Sequence, residues 1–269
     1  MSIEQKKPKL FLEKYNKIAI LITLTFFIIC AYVSFVYHDV FYESDAVWFW
    51  FFGEQLVQEG PSNVESFDTP PGGPLLWVFL NSFFNDGFFT VKFVSVLSAT
   101  GIIFLSYHII KNLFNPRIAL VGQLLFVFCP RFDFLSVSAL NELLPVFLIF
   151  LSIYLVTKKI LSKYDAILIG VLLGLSFLIR YQAALIILGI SIMILIRNKE
   201  ISKNILLIVL IIVSFVIIIT PLLMFNYNSY GSLLDSNSNL YAASAIHFHT
   251  PEYLSQIQNY VAERSSNSW

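Results

Sequence analysis

The chain has 269 residues, 57% of them hydrophobic and 13% charged, with a mean hydropathy of +0.76 and a formal net charge of zero. A soluble domain carries about 25% charged residues, and one core cannot hide 27 Phe beside this much aliphatic surface. An ordinary soluble globule, a disordered chain, a collagen-like chain and a disulfide scaffold are therefore excluded, and most apolar groups are expected to face lipid. The net charge as a total names no partner, and no nucleic-acid partner is expected.

In chain order, residues 1–17 form a basic N-terminus with Lys6, Lys7, Lys9, Lys14 and Lys17. Spans are then predicted at Ile18–Tyr37, Phe88–Ile110, Ile118–Phe134, Leu143–Val156, Ala166–Ile179, Ala183–Ile196 and Ile205–Phe225. The first run lacks a small-residue cleavage site before Tyr37 and reads as an anchor. Cys30 and Cys129 lie inside apolar runs and read as packing groups.

A cytoplasmic N-terminus places Lys111, Arg117, Lys158, Lys159, Lys163, Arg197, Lys199 and Lys203 on the same side, which gathers thirteen of the seventeen basic residues there. That is the distribution the positive-inside rule requires. The acids sort oppositely: Glu4, Glu13, Asp165 and Glu200 stay inside, and thirteen face outward or are embedded. Fusing Ala166–Ile196 into one span around Arg180 would put two basic clusters on opposite sides, so the chain must break there. The result is an all-α, multi-pass membrane helical bundle of about seven spans over residues 18–225, with an outer loop at 38–87 and an outer C-terminal segment at 226–269.

Within the outer loop, Ser44 or Asp45 is a good N-cap for a helix over Ala46–Glu59 that stops at Gly60-Pro61. On a helical wheel Glu54, Gln55, Gln58 and Glu59 share one arc, and Phe49, Trp50, Phe52, Leu56 and Val57 share the other, so this helix is expected to lie on the membrane surface. Asp45 falls on the apolar side at the positive end of the helix dipole, where a carboxylate stays ionised although partly desolvated. Asp68-Thr69-Pro70-Pro71-Gly72-Gly73-Pro74 then leads into Leu75–Phe84, a run too short to cross a ~30 Å core and therefore interfacial or re-entrant. The prolines stiffen this approach, and the glycines allow close passage of the backbone.

An acid soon after the first span, Gly60 fifteen positions beyond Asp45, and Pro-Pro-Gly before an apolar juxtamembrane helix together resemble the polyprenyl-phosphate-sugar-dependent glycosyltransferases of the GT-C fold, within them the protein mannosyltransferase and aminoarabinose transferase branch. Lys92 in Phe89-Thr-Val-Lys-Phe, Asn141-Glu142 in Ala139-Leu-Asn-Glu, Arg180 closing Gly174-Leu-Ser-Phe-Leu-Ile-Arg, and Pro221 with Asn226 and Tyr230-Gly231 extend the similarity over roughly Val40 to Gly231. The chain departs from the pattern at Ala46 and Phe49, where the family often has a second acid and a Tyr, and in having no basic residue just before the prolines. Family members usually continue with further spans, so a partial module is expected here.

The resemblance implies transfer of a sugar from a polyprenyl-phosphate carrier to a protein, lipid or glycan acceptor on the extracytoplasmic side, with Asp45 as general base and inversion at the anomeric carbon. A phosphate is a good leaving group, so a single base suffices, unlike glycoside hydrolysis with its two carboxylates. Arg180 is suited to the phosphate by its bidentate fork, and Lys92, Asn141, Glu142 and Asp68 are the further substrate-binding candidates.

Each residue has a plainer role beside this one: Asp45 as a helix cap, Arg180 snorkelling or paired with Glu142, Lys92 snorkelling, Asp68 as a turn residue. No cofactor is expected, a divalent cation held by Asp45 and Glu142 being the weaker alternative, and His247 with His249 make a poor zinc site. The alternative functions are an inactive or truncated module that binds the lipid carrier, and a transporter or flippase, which would carry polar residues deep in several broken helices.

Overall fold

The computed structural model describes residues 3–37, 52–58, 60, 70–84, 87–140, 142–197 and 200–230, which are helices joined by short connections, with no strand among them. The helices are α1 (Ile3–Val36), α2 (residues 52–58), α3 (Gly72–Phe84), α4 (Gly87–Leu113), α5 (Pro116–Val127), α6 (Pro130–Val137), α7 (Leu143–Thr157), α8 (Lys163–Ile179), α9 (Ala183–Arg197) and α10 (Ile201–Tyr230). The chain divides into two compact units, Met1–Val64 with Pro70–Leu222, and Glu65–Thr69 with Leu223–Trp269. The first is the bundle described below. Of the second, the described part is the last turns of α10, which are helical up to Tyr230 and include the first residues expected to belong to the outer C-terminal segment.

Each of the seven predicted apolar runs folds as helix, and three of the helices are long and apolar enough to cross a membrane: Glu13–Val36, Phe89–Leu113 and Ile201–Asn228. The third predicted span is a bent pair, α5 and α6, which meet at 63°. Phe128 and Cys129 separate them, and Pro130, which has no N–H to donate, opens α6. The helices α7 and α9 have 15 residues each and α8 has 17, which at ~1.5 Å per residue falls short of a ~30 Å core.

The bundle is organised around α4, which packs on α1, α3, α5, α6 and α7. Its apolar centre joins Phe26 and Cys30 of α1 to Val96, Ala99, Ile102 and Ile103 of α4 and to Phe132 and Leu143. Apolar burial has no preferred direction and cannot by itself set the register of α1. A polar contact does so: the buried Gln123 of α5 donates from Nε2 to the Ala19 carbonyl and the Thr23 hydroxyl of α1, both at 3.0 Å.

Helix α8 lies against α10 through Gly170 and Gly174, where small residues let backbones approach closely. A Cβ at Gly170 would stand 2.3 Å from the Ile211 carbonyl oxygen, and one at Gly174 2.7 Å from the Ile218 Cβ.

At one end of the bundle the polar groups pair with one another. Asn16 Oδ1 accepts from the Tyr107 hydroxyl and from Lys111 Nζ at 2.9 and 3.0 Å, and Asn112 donates to Thr157 at 3.1 Å. Lys158 meets Asp165 at 2.7 Å, and Asp165 closes a capping box with Ser162 at the start of α8. This is the end where the charge distribution gathers Lys111, Lys158 and Lys163.

The helix α2 departs from its expected placement. It ends as predicted, with Gly60 beyond it at φ +77°. Its apolar residues Phe52 and Leu56, however, are each only 6% exposed, and Gly53 sits so close to Pro74 of α3 that a Cβ would stand 2.6 Å from the carbonyl oxygen. Of the apolar arc, Phe52 and Leu56 are covered by protein and Val57 is exposed, because protein offers these side chains the same apolar surroundings that lipid would.

Candidate functional site

The candidate residues within the described structure, Arg180, Glu142 and Lys92, stand at the end of the bundle away from Lys111 and Lys158. Arg180 is the C-cap of α8: it takes an extended backbone, and its N–H donates to the Ser176 carbonyl at 2.8 Å. Glu142 is the N-cap residue of α7 and makes no capping bond with its own side chain. Instead its Oε1 accepts from Nη2 of Arg180, forming an ion pair between two helix ends. About a third of each side chain is exposed, 32% for Arg180 and 34% for Glu142, so the pair can be reached from outside. The second carboxylate oxygen, Oε2, is buried without a hydrogen-bond partner among the described residues.

Two contacts hold this junction in place. The Ser176 hydroxyl donates to the Pro145 carbonyl at 3.1 Å, tying the last turn of α8 to the first of α7. Gly72 at the start of α3 touches the backbone of Leu178, where a Cβ would stand 2.5 Å from the carbonyl oxygen. The Pro-Pro-Gly-Gly segment therefore ends against the residues leading into Arg180, and glycine is required there because any side chain would push the helix end away.

Lys92 is almost fully buried, 1% exposed, and its ammonium donates to the carbonyl of Tyr37 at the end of α1. It lies next to Val91, which packs with Trp77 of α3 and with Ala139 and Leu140. That cluster links the start of α4, the juxtamembrane helix and the segment leading to Glu142 within one apolar contact. Lys92 is thus not a snorkelling lysine, since its head is turned into protein.

Asp45, Asp68 and Asn141, together with His247 and His249, lie outside the described residues. Among the described residues no three His, Cys, Asp or Glu side chains come together. Ser176 and Trp77 were not among the expected site residues. Ser176 stands one turn before Arg180 in an otherwise apolar run, a spacing that sets it on the same helix face and that was the available signal.

An exposed-edge guanidinium beside a carboxylate, at the end of a bundle where three helix ends converge, is chemically equipped to hold an anionic group through the remaining face of the fork. Helix N-termini add positive potential nearby. Neither a curated protein nor a solved structure matches this chain. The family model described as dolichyl-phosphate-mannose-protein mannosyltransferase matches residues 68–225, more than half of the chain, and its range includes Gly72, Lys92, Glu142 and Arg180. The chain belongs to that family, and is accordingly an integral membrane protein of a group of glycosyltransferases that draw their sugar from a polyprenyl-phosphate carrier.

Proposed function

We propose that this protein transfers a sugar from polyprenyl phosphate to a hydroxyl-bearing protein, lipid or glycan acceptor on the extracytoplasmic side of the membrane, by one inverting displacement. The observation that carries the reading is the Arg180–Glu142 pair, partly exposed at the bundle end opposite the lysine cluster and inside the matched family range. The acceptor oxygen attacks the anomeric carbon, the bond from that carbon to the phosphate oxygen breaks, and the carrier leaves as polyprenyl phosphate. Asp45 takes the proton from the acceptor hydroxyl. Arg180 binds the phosphate and stabilises the charge that grows on it, with Lys92 adding positive charge to the same end and Asn141, Glu142 and Asp68 contacting the substrate or shaping its site.

The test is binding of labelled polyprenyl-phosphate sugar to the full chain in nanodiscs. Arg180→Ala is expected to weaken binding by about 10- to 100-fold, since a charge-assisted contact contributes roughly 1.5–3 kcal/mol, and Arg180→Lys is expected to recover only part of it. Unchanged binding in Arg180→Ala removes Arg180 from the carrier site.

A further inference from the structure

A groove of about 730 Å³ runs along α1 from Leu21 to Val33, walled on its other side by Leu124 and Val127 of α5 and by Asp133 and Val137 of α6. The 63° bend between α5 and α6 leaves this hollow beside α1. Its lining is apolar apart from Thr25, Cys30 and Asp133, and Asp133 is the one carboxylate in it.

One oxygen of Asp133, Oδ1, is buried and has no hydrogen-bond partner among the described residues. The neighbouring Ser136 hydroxyl bonds the Asp133 backbone carbonyl at 2.7 Å and contacts Cys30 Sγ at 3.3 Å, and the guanidinium of Arg131 lies over the Phe134 ring, 5.4 Å from its centroid. A carboxylate held in an apolar groove within a membrane bundle is costly unless a donor arrives from elsewhere.

Depth decides what that donor is. Cys30, in contact with Ser136, lies thirteen residues beyond Lys17, which is roughly 20 Å along α1 in a core of roughly 30 Å. Asp133 therefore sits about 10 Å below the nearer surface, beneath lipid headgroups, while an acyl or isoprenoid chain at that depth brings no donor. A side chain on a spanning helix reaches it. The groove follows α1 for about 18 Å, more than three helical turns, which is the shape a second helix packs into.

We propose that this groove docks a transmembrane helix of a second protein that carries a single lysine or arginine at the depth of Asp133. The proposal stands apart from the carrier site at Arg180 and does not depend on it.

The test uses the full chain in nanodiscs and fluorophore-labelled, Trp-flanked poly-Leu spanning peptides, with or without one Lys placed 10 Å below the corresponding surface, read by energy transfer. The Lys peptide is expected to associate at least 10-fold more tightly than the all-Leu peptide. Asp133→Asn is expected to erase that difference, and Thr25→Trp, which fills the groove from the exposed side of α1, is expected to weaken binding of the Lys peptide. If Asp133→Asn perturbs folding, the charge-exchanged pair decides: Asp133→Lys is expected to prefer a peptide bearing Asp over the all-Leu peptide. Equal affinity of the native chain for both peptides, a Lys preference that survives Asp133→Asn, or transfer of the same strength to a chain whose carboxylate has been moved to lipid-exposed Leu185 (Asp133→Asn with Leu185→Asp), would overturn the proposal.

Discussion

Arg180 closes α8 and Glu142 opens α7, and the ion pair between them joins two consecutive helices at the end away from Lys158 and Asp165. Each residue limits what the other can do. The carboxylate holds one edge of the guanidinium, and the guanidinium occupies one of the two carboxylate oxygens.

If Glu142 serves to aim Arg180, its shape as an acceptor counts for more than its charge. Glu142→Gln keeps an oxygen for Nη2, and the donor KM is expected to stay within about 3-fold of native, whereas Glu142→Ala leaves the fork unaimed and is expected to raise KM about 10-fold, or roughly 1.4 kcal/mol. A steady-state comparison of the two variants checks this. Equal KM values for both would show that the aiming contact is not used.

The close approach of α8 and α10 is expected to make Gly170 intolerant of even a methyl group. Gly170→Ala has to displace the Ile211 carbonyl, which a Cβ would approach to 2.3 Å, while Gly189 of α9 has nothing within 4 Å of its added Cβ. Overpacking costs about 1–3 kcal/mol; an Ala in an open helix position instead gains about 0.5–1 kcal/mol over Gly. Thermal unfolding in detergent is expected to show Gly170→Ala below the native chain and Gly189→Ala at or above it.

The lysine-bearing end carries a pH dependence of known sign. Burial raises the Asp165 carboxyl, but hydrogen bonds from Lys158 and from the Ser162 side chain and backbone, with the Lys158 charge, bring it from 3.8 down to about 2. The folded carboxyl therefore binds its proton less readily than the unfolded one. Its contribution is fully present above about pH 4 and is lost as the pH falls through 2. Asp165→Asn is expected to destabilise the chain by about 1–2 kcal/mol at neutral pH and to match the native chain more closely as the pH approaches 2, measured by denaturation in detergent across that range.

How much of this was legible beforehand depends on which physical signal a feature leaves. Charges are costly in lipid, so Lys111, Lys158 and Arg180 marked the helix ends, and the chain does break at Arg180, between Ile179 and Ala183. Apolar character leaves no such mark, because lipid and a protein core are equally welcome to Phe52 and Leu56. The face of α2 was therefore assigned to the membrane although Phe52 and Leu56 are covered by protein. The bend at Phe128–Pro130 was missed because Ile118–Phe134 was taken as one span across Pro130, Arg131 and Asp133. Of the site, Arg180 and Glu142 were readable as a pair, and their contact bears out that plainer role without deciding what else they bind. Lys92 was open to two readings, substrate binding or snorkelling, and its burial against the Tyr37 carbonyl comes from a tertiary contact across fifty-five positions that no local spacing encodes.

The central claim is that one carboxylate, Asp45, removes the acceptor proton. Membranes containing the full chain, supplied with labelled polyprenyl-phosphate sugar and scored for both transfer and donor binding, test it directly. A general base contributes about 10²- to 10⁴-fold, so Asp45→Asn is expected to lose transfer by at least about 100-fold while donor binding stays within about 3-fold. Transfer at the native rate in Asp45→Asn would contradict the account.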